Sequence, residues 1–565
     1  MTHGATATEF SAAVLAEFVR QGVRHVVVCP GSRSQALALA AARFEKAGLI
    51  TLTVRIDERG AGFLALGLAV ETGTPAIVIT TSGTAVGNLL PSVLEAHHSG
   101  VPLILLTADR PEELRGIGSN QTTNQRGMFG EFVRFAREVE APSVGGFDKG
   151  FPAQLARAAV SAAVGNSGTP GPVHVNMAFR EPLSGPFDSA VLDGVGGADP
   201  ARVARPVEPI KIAPEPFTVV IAGHAAGEEA EAVARALGAP LIAEVSSGAH
   251  FGRNLVVAYR ELLRTPEFGG RVRRAIVFGH PTLSREVPQL IERDDVETIV
   301  VRGDAGEAFN PGHRVETFTE AIEVVGPTAD ADPSWLGSWV AASRALVDDD
   351  TAIDPAAART DDTAAVAAFA KAQLEVYREP VTRRMLVDAV WQKTWPHDRL
   401  VFGSSRLIRE ADSVVPGKRI RVHANRGLAG IDGTIATAVG IALGSQLAAD
   451  AGNAPAGTTR LVLGDLAFLH DAGSLLAAPG EPEPRIQVIV GNDGGGTIFD
   501  SLEVAATADS EVFDRVMYTP HAARLDAVAH AYGWQYRLAA NRGELDEALS
   551  SPKGRTIIEV PLPRA

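Results

Sequence analysis

Toward its carboxyl end the chain carries two apolar runs rich in branched residues, Thr459 to Leu463 and Ile486 to Val490, and each stops on a short glycine-containing turn. Runs of this length and type read as buried parallel strands. The turns, Gly464-Asp465-Leu466 and Gly491-Asn492-Asp493-Gly494, then fall at the carboxyl ends of neighbouring strands, where open α/β sheets bind ligands. The stretch between Asp465 and Asn492 has room for one helix and its connections. A carboxylate, an amide oxygen and a carbonyl exposed by glycine are hard donors that suit Mg²⁺, an ion that takes phosphate oxygens and water to complete its octahedron. The plainer alternative is a glycine turn with an aspartate capping a helix.

The same strand–turn–helix pattern recurs upstream. Apolar runs at His25 to Cys29, Leu49 to Ile56, Ala76 to Thr80 and Pro102 to Leu106 alternate with helical periodicity, which predicts a doubly wound parallel sheet closed by a strand at Val173 to Asn176. The first run ends in Pro30-Gly31-Ser32-Arg33-Ser34, where small residues and a cation at a helix start make either an anion site or a plain turn. The second ends in Asp57-Glu58-Arg59. Gly60-Ala61-Gly62-Phe63-Leu64-Ala65 follows and matches the dinucleotide fingerprint in form, but the next strand ends Thr80-Thr81-Ser82 without the required carboxylate. Close helix packing is the better reading of those glycines. Ser82-Gly83 opens the next helix, and beyond Asp109-Arg110 lies the polar Gly118-Ser119-Asn120-Gln121.

Length and punctuation divide the chain. At 565 residues it exceeds a single core, given ~150 residues per domain. The boundaries read as an α/β domain over 1–185, a Gly/Pro/Asp-rich linker over 186–214, a middle α/β domain over 215–330, an Ala/Asp-rich linker over 331–380 with an acidic run ending at Asp350, and a last domain over 381–565. The middle domain offers one strand-end loop with a cation, Arg285. The last domain has a strand at Leu400 to Gly403 followed by Ser404-Ser405-Arg406 and Arg409, then the glycine-dense Asn425-Arg426-Gly427 to Thr434.

Charge narrows the partners. With 52 basic against 67 acidic side chains the net charge is −15, which argues against a nucleic-acid surface. Anionic ligands must be met by locally placed arginines or backbone amides. The single cysteine, Cys29, excludes an intrachain disulfide and fits a reducing, cytoplasmic setting. No basic leader and no apolar run of transmembrane length stands out.

Taken together, Glu58, Gly464-Asp465, Asn492 and the 425–434 loop resemble thiamine diphosphate enzymes with pyrimidine-binding, middle and diphosphate-binding domains. Pro30 to Ser34, Asp57 to Arg59, Thr81 to Val86, Leu106 to Pro111, Asn120-Gln121 and Asn425 to Gly427 resemble more narrowly the 2-succinyl-5-enolpyruvyl-6-hydroxy-3-cyclohexene-1-carboxylate synthase family, carboligases of menaquinone biosynthesis. The likeness covers the first and last domains nearly end to end.

It implies a transferase that uses thiamine diphosphate and Mg²⁺ or Mn²⁺ to join a unit from 2-oxoglutarate to isochorismate with loss of carbon dioxide. By resemblance, Glu58 activates the aminopyrimidine ring; Ser82, Gly83, Ile431, Gly464, Asp465, Leu466 and Asn492 hold the cofactor; and Asp465, Asn492 and the Gly494 carbonyl hold the metal. Ser32, Arg33, Arg110, Gln121, Arg285, Ser405, Arg409, Arg426, Ile498 and Phe499 are the corresponding substrate residues. Both substrates carry carboxylates, which guanidinium groups grip bidentately. The resemblance also implies a homodimer or dimer of dimers. Two departures stand out: Asp493-Gly494 where relatives often carry two asparagines, and Ser284 where a second cation can precede Arg285. Another thiamine enzyme of acetolactate synthase or 2-oxo acid decarboxylase type, and a non-catalytic α/β ligand-binding protein, are the alternatives.

Overall fold

The computed structural model describes residues 6–143, 146–166, 168–196, 207–303, 307–326, 333–347, 362–452, 457–550 and 554–564. Its first sheet holds β1 (His25–Val28), β2 (Thr51–Val54), β3 (Ala76–Thr80), β4 (Leu103–Asp109), β5 (Phe135–Val139) and β6 (Pro172–Ala178). All pair in parallel in the order β2-β1-β3-β4-β6-β5. Every residue of β1, β3, β4 and β6 is buried, so these strands show continuous apolar runs instead of alternation. The edge strand β5 carries two adjacent charged residues, Arg137 and Glu138, and gives no such signal.

The middle sheet is built from β8 (Thr218–Ala222), β9 (Leu241–Ala243), β10 (Arg274–Phe278), β11 (Glu297–Val301) and β12 (Thr317–Thr319), in the order β12-β11-β10-β8-β9. A small ribbon pairs β7 (Ile210–Ile212) with β13 (Ile322–Val324), so a strand stands inside the stretch read as the first linker. The second linker reading also needs amending: the helix Pro333–Val347 buries Trp335 and Trp339 in the core of the middle domain. Its alanine-rich sequence hides two large anchors. The acidic run ending at Asp350 lies outside the described residues.

The last sheet comprises β14 (Arg399–Phe402), β15 (Arg421–Ala424), β16 (Thr459–Gly464), β17 (Ile486–Asn492), β18 (Gln535–Leu538) and β19 (Arg555–Pro561), again all parallel, in the order β15-β14-β16-β17-β19-β18. In each large sheet the strand order reverses beside the strand that comes first in sequence, and in the first and last sheets it reverses again at the far edge; at the first of these points a crevice opens beyond the carboxyl ends of the two flanking strands. The pairs are β1 and β3, β8 and β10, and β14 and β16. The first crevice is framed by Pro30 to Ser34 and Thr81 to Gly83, the third by Gly403 to Ser405 and Gly464-Asp465. The second is closed by its own backbone: His224 and His280 exchange backbone hydrogen bonds of 2.9 Å across it. The middle sheet therefore offers no ligand crevice of its own there.

The first and last domains share one apolar core through two helices, Glu58–Thr72 and Thr434–Asp450. A Cβ on Gly67 would lie 2.1 Å from the Thr437 carbonyl oxygen, and one on Gly440 would lie 2.2 Å from that of Leu64. The glycines of the apparent dinucleotide fingerprint serve the same kind of packing, since a Cβ on Gly62 would meet Ser92 Oγ at 2.2 Å. No helix among the described residues is long and apolar enough to cross a membrane.

Candidate active site

The first crevice gathers a cationic group. Arg33 is buried and donates from Nη1 to the Phe179 carbonyl at 3.1 Å. Burial and then the neighbouring Arg110 guanidinium hold its pKa below the ordinary arginine value. Arg110 donates from Nη1 to Ser82 Oγ and to the Gln121 carbonyl, both at 2.8 Å. Gln121, at φ 54°, donates from Nε2 back to the Ser82 carbonyl at 2.9 Å. Ser82, Gly83, Arg110 and Gln121 thus form one hydrogen-bonded unit, completed by Gln125, whose Oε1 accepts from the Gly83 backbone N–H. Ser32 is exposed on its rim. Sequence reading passed over Gln125 because nothing local marks it.

Glu58 opens the helix Glu58–Thr72, yet the capping is done by Asp57, whose Oδ1 accepts from Arg59 N at 3.0 Å. The Glu58 carboxylate instead accepts from Asn88 Nδ2 at 3.2 Å. A helix-capping role is therefore already filled next door. Beneath it Cys29 is buried, and burial with the Glu58 and Asp57 charges pushes its thiol far above its usual range, so no thiolate nucleophile stands here.

In the third crevice the candidate metal donors meet. Asp465 is buried, with Oδ1 accepting from Leu466 N at 2.7 Å and Oδ2 facing His521 Nε2 at 2.9 Å. Asn492 donates from Nδ2 to Glu559 Oε1 at 2.7 Å, which turns its Oδ1 toward Gly494 N at 3.1 Å. Gly494, at φ 78°, accepts on its carbonyl from His521 N at 3.3 Å. Burial raises the Asp465 pKa above the ordinary aspartate range, with His521 opposing and Asp493 adding to the rise. Such a carboxylate calls for a cation, and oxygen donors of this kind fit a hard divalent ion. Asp493 pairs instead with Arg383 at 2.8 Å. Among the described residues no group of three or more His, Cys, Asp or Glu side chains forms a rival metal site.

Ser405 caps the next helix, with Oγ accepting from Leu407 N at 3.1 Å, and Arg409 donates to the Ser405 carbonyl at 3.1 Å. Arg426 is buried against Thr282 and Ser404. Burial lowers the pKa of both arginines, and for Arg409 the charges of Arg426 and Arg260 lower it further. Two guanidinium groups held this closely form a concentrated positive potential in an acidic chain. Behind them Glu244, pushed up to about 8 by burial and by Asp412, keeps one carboxyl oxygen without a hydrogen-bond partner. Arg285 lies apart, exposed at the start of the helix Glu286–Ile291, its guanidinium making no hydrogen bond or ion pair among the described residues.

Ile498 and Phe499 are half-buried in a short helical turn beyond the metal loop, and Ile431 is 37% exposed. None belongs to a core cluster among the described residues. Gly464 occupies the N-cap position of the helix Asp465–His470, and Leu466 sits half-buried in its first turn. Within one chain, no hydrogen bond or ion pair joins Glu58 to Asp465 or Asn492 among the described residues.

Residues 9–131 match the family model described as thiamine pyrophosphate enzyme, N-terminal TPP binding domain. A 2-succinyl-5-enolpyruvyl-6-hydroxy-3-cyclohexene-1-carboxylate synthase of Leifsonia xyli subsp. xyli is 57% identical, over 99% of this chain and 97% of that protein. One of Clavibacter michiganensis subsp. michiganensis is 56% identical over the same shares, and one of Mycobacterium avium is 37% identical over 98% of this chain and 96% of its own length. Among solved structures, a benzoylformate decarboxylase from Polynucleobacter necessarius superposes with a TM-score of 0.66 at 15% identity, covering 99% of both chains. That last likeness concerns the fold alone.

Proposed function

The chain belongs to the 2-succinyl-5-enolpyruvyl-6-hydroxy-3-cyclohexene-1-carboxylate synthase family, and from that premise we propose that it joins a four-carbon unit from 2-oxoglutarate to isochorismate. Carbon dioxide leaves and the product is the compound that gives the family its name. Thiamine diphosphate, when bound, supplies the carbanion equivalent that a protein side chain cannot. Asp465, Asn492 and the Gly494 carbonyl would hold Mg²⁺ or Mn²⁺ against its diphosphate, with Gly464 and Leu466 alongside. Ser82 and Gly83 would line the first-domain side, and Ile431 would prop the cofactor.

Glu58 takes the role of proton relay at the aminopyrimidine ring. Its support is the division of labour at the helix start: Asp57 caps, leaving the Glu58 carboxylate to a single amide contact. The substrate carboxylates would go to Arg33, Arg110, Arg409 and Arg426, assisted by Ser32, Gln121 and Ser405, with Arg285 approaching from the middle domain and Ile498 and Phe499 excluding water. A dimer that sets the first domain of one subunit against the last domain of another would bring Glu58 to the metal loop. The setting that fits is the cytoplasm.

The observation that carries this reading is the pairing of guanidinium groups at two sheet crevices, Arg33 with Arg110 and Arg409 with Arg426, in a chain of net charge −15. Dicarboxylate substrates need such groups; pyruvate and benzoylformate do not need four. The test is product analysis after incubation with thiamine diphosphate, Mg²⁺, 2-oxoglutarate and isochorismate. The named product with matched carbon dioxide release supports the reading. Carbon dioxide without consumption of isochorismate would indicate a decarboxylase, and no turnover of either substrate a binding protein.

A further inference from the structure

Arg426 is where all three domains meet. Its own strand end belongs to the last domain, but Nε donates to Thr282 Oγ1 at 2.9 Å and Nη2 to the Thr282 carbonyl at 3.2 Å, both in the middle domain. Nη1 reaches Ser404 Oγ at 3.3 Å. These bonds use the Nε–H and one N–H on each terminal nitrogen. One N–H remains on each terminal nitrogen to donate to a carboxylate.

The residues behind these contacts are themselves fixed. Thr282 N and Leu283 N both donate to Glu244 Oε1 at 2.6 Å, and Glu244 is buried. On the opposite side, the backbone just past Arg426 is gripped by the first domain: Gly427 N donates to Glu95 Oε1 and Leu428 N to Glu95 Oε2, each at 2.8 Å. Glu95 is 4% exposed and takes a further hydrogen bond from Ser99 Oγ at 2.9 Å. A Cβ on Gly427 would lie 2.9 Å from the Glu95 carbonyl oxygen, so the loop is pressed onto that helix. A carboxylate that accepts adjacent backbone N–H groups fixes both the position and the direction of a loop.

We propose that Glu95 and Thr282 are positioning residues that hold the Arg426 guanidinium in the orientation that receives a substrate carboxylate. The middle domain, whose own crevice is closed by the His224–His280 backbone pair, thereby serves recognition by presenting Thr282. This rests on the substrate reading given above for Arg426.

Steady-state kinetics of the full-length holoenzyme with 2-oxoglutarate and isochorismate test it, using Glu95→Gln, Thr282→Val, Arg426→Ala and the two double variants that include Arg426→Ala. Each positioning variant is expected to raise KM for one of the two substrates about tenfold, with kcat changed less than threefold and thiamine diphosphate affinity unchanged by calorimetry. Added to Arg426→Ala, neither should raise KM further. Losses that multiply in the double variants, or wild-type KM for both substrates in Thr282→Val, would overturn the inference. Thr282→Val carries the test alone if Glu95→Gln does not fold. Wild-type KM in Arg426→Ala would instead refute the substrate assignment, and the positioning role with it.

Discussion

Glu71, at the end of the helix that begins with Glu58, lies 2.6 Å from the guanidinium of Arg399, and both side chains are buried at the boundary between the first and last domains. Arg421 at 3.3 Å and His423 at 3.4 Å face the same carboxylate from the next strand. One acidic group thus gathers the amino-terminal ends of β14 and β15 onto the first domain.

This contact sets an acid limit on stability. Burial alone would raise the Glu71 carboxyl, but His423 and Arg399 more than offset it and lower the pKa from 4.5 to about 2. A group depressed in the folded state stabilises above its unfolded pKa and ceases to do so as pH falls through the folded value. The window is pH 4.5 down to 2, and the size is about 3 kcal/mol. Urea titrations at pH 7 should show Glu71→Gln destabilised by roughly that amount. The gap between variant and wild type should narrow as pH falls below 4.5 and close only below about 2.

Replacing Asp465 by alanine should leave the far-ultraviolet dichroism unchanged and abolish Mg²⁺-dependent binding of thiamine diphosphate. The buried carboxylate is the one charged member of the oxygen set, and without it a divalent cation loses its main attraction. Calorimetric titration of the cofactor with and without Mg²⁺ checks this. Wild-type affinity would move the metal elsewhere.

For Arg409→Ala the expected change is in substrate affinity. Hydrogen bonds to charged groups contribute about 1.5 to 3 kcal/mol, a loss of roughly ten- to a hundredfold in apparent affinity. Among the described residues its guanidinium donates a hydrogen bond only to the Ser405 carbonyl, so the fold should be little affected. Michaelis curves for 2-oxoglutarate and isochorismate read the outcome, and unchanged values for both would make Arg409 a bystander.

Glu58 and Asp57 make a paired experiment. Removing the Asp57 cap with Asp57→Ala should cost about 1 kcal/mol of stability. Glu58→Gln should cost little stability, because it caps nothing, but should slow turnover by roughly 10² to 10⁴ through loss of acid–base assistance. Exchange of the cofactor's thiazolium C2 proton for deuterium, followed by NMR on the bound enzyme, should slow in parallel. Exchange at the wild-type rate in Glu58→Gln would take the residue out of the mechanism.

The sequence made the crevices legible because each is local: a fully buried strand and the turn behind it, as at β1 with Pro30 to Ser34 or β16 with Gly464-Asp465, are contiguous. Arg33, Arg110 and Asp465 could be read for that reason. The partners that orient these groups are remote. Asn88 reaches Glu58, His521 reaches Asp465, Glu559 orients Asn492, and Glu95 and Thr282 meet Arg426's loop from other domains. A single polar residue on an otherwise ordinary helix or loop carries no periodicity and no motif, so only the folded chain reveals it. The tryptophans of Pro333–Val347 show the same limit for the core, since an alanine- and serine-rich helix surrounds them.

The glycine contacts between the helices Glu58–Thr72 and Thr434–Asp450 bear on how the protein could be recombined. With Gly67 against the Thr437 carbonyl and Gly440 against that of Leu64, neither helix tolerates an added methyl group unless its partner shifts by more than an ångström. A chimera that took its first domain from one relative and its last from another would splice across this contact. It should fold well only if both helices come from the same parent, so the useful chimera exchanges the middle domain as a unit, with one crossover in each of its flanking connections.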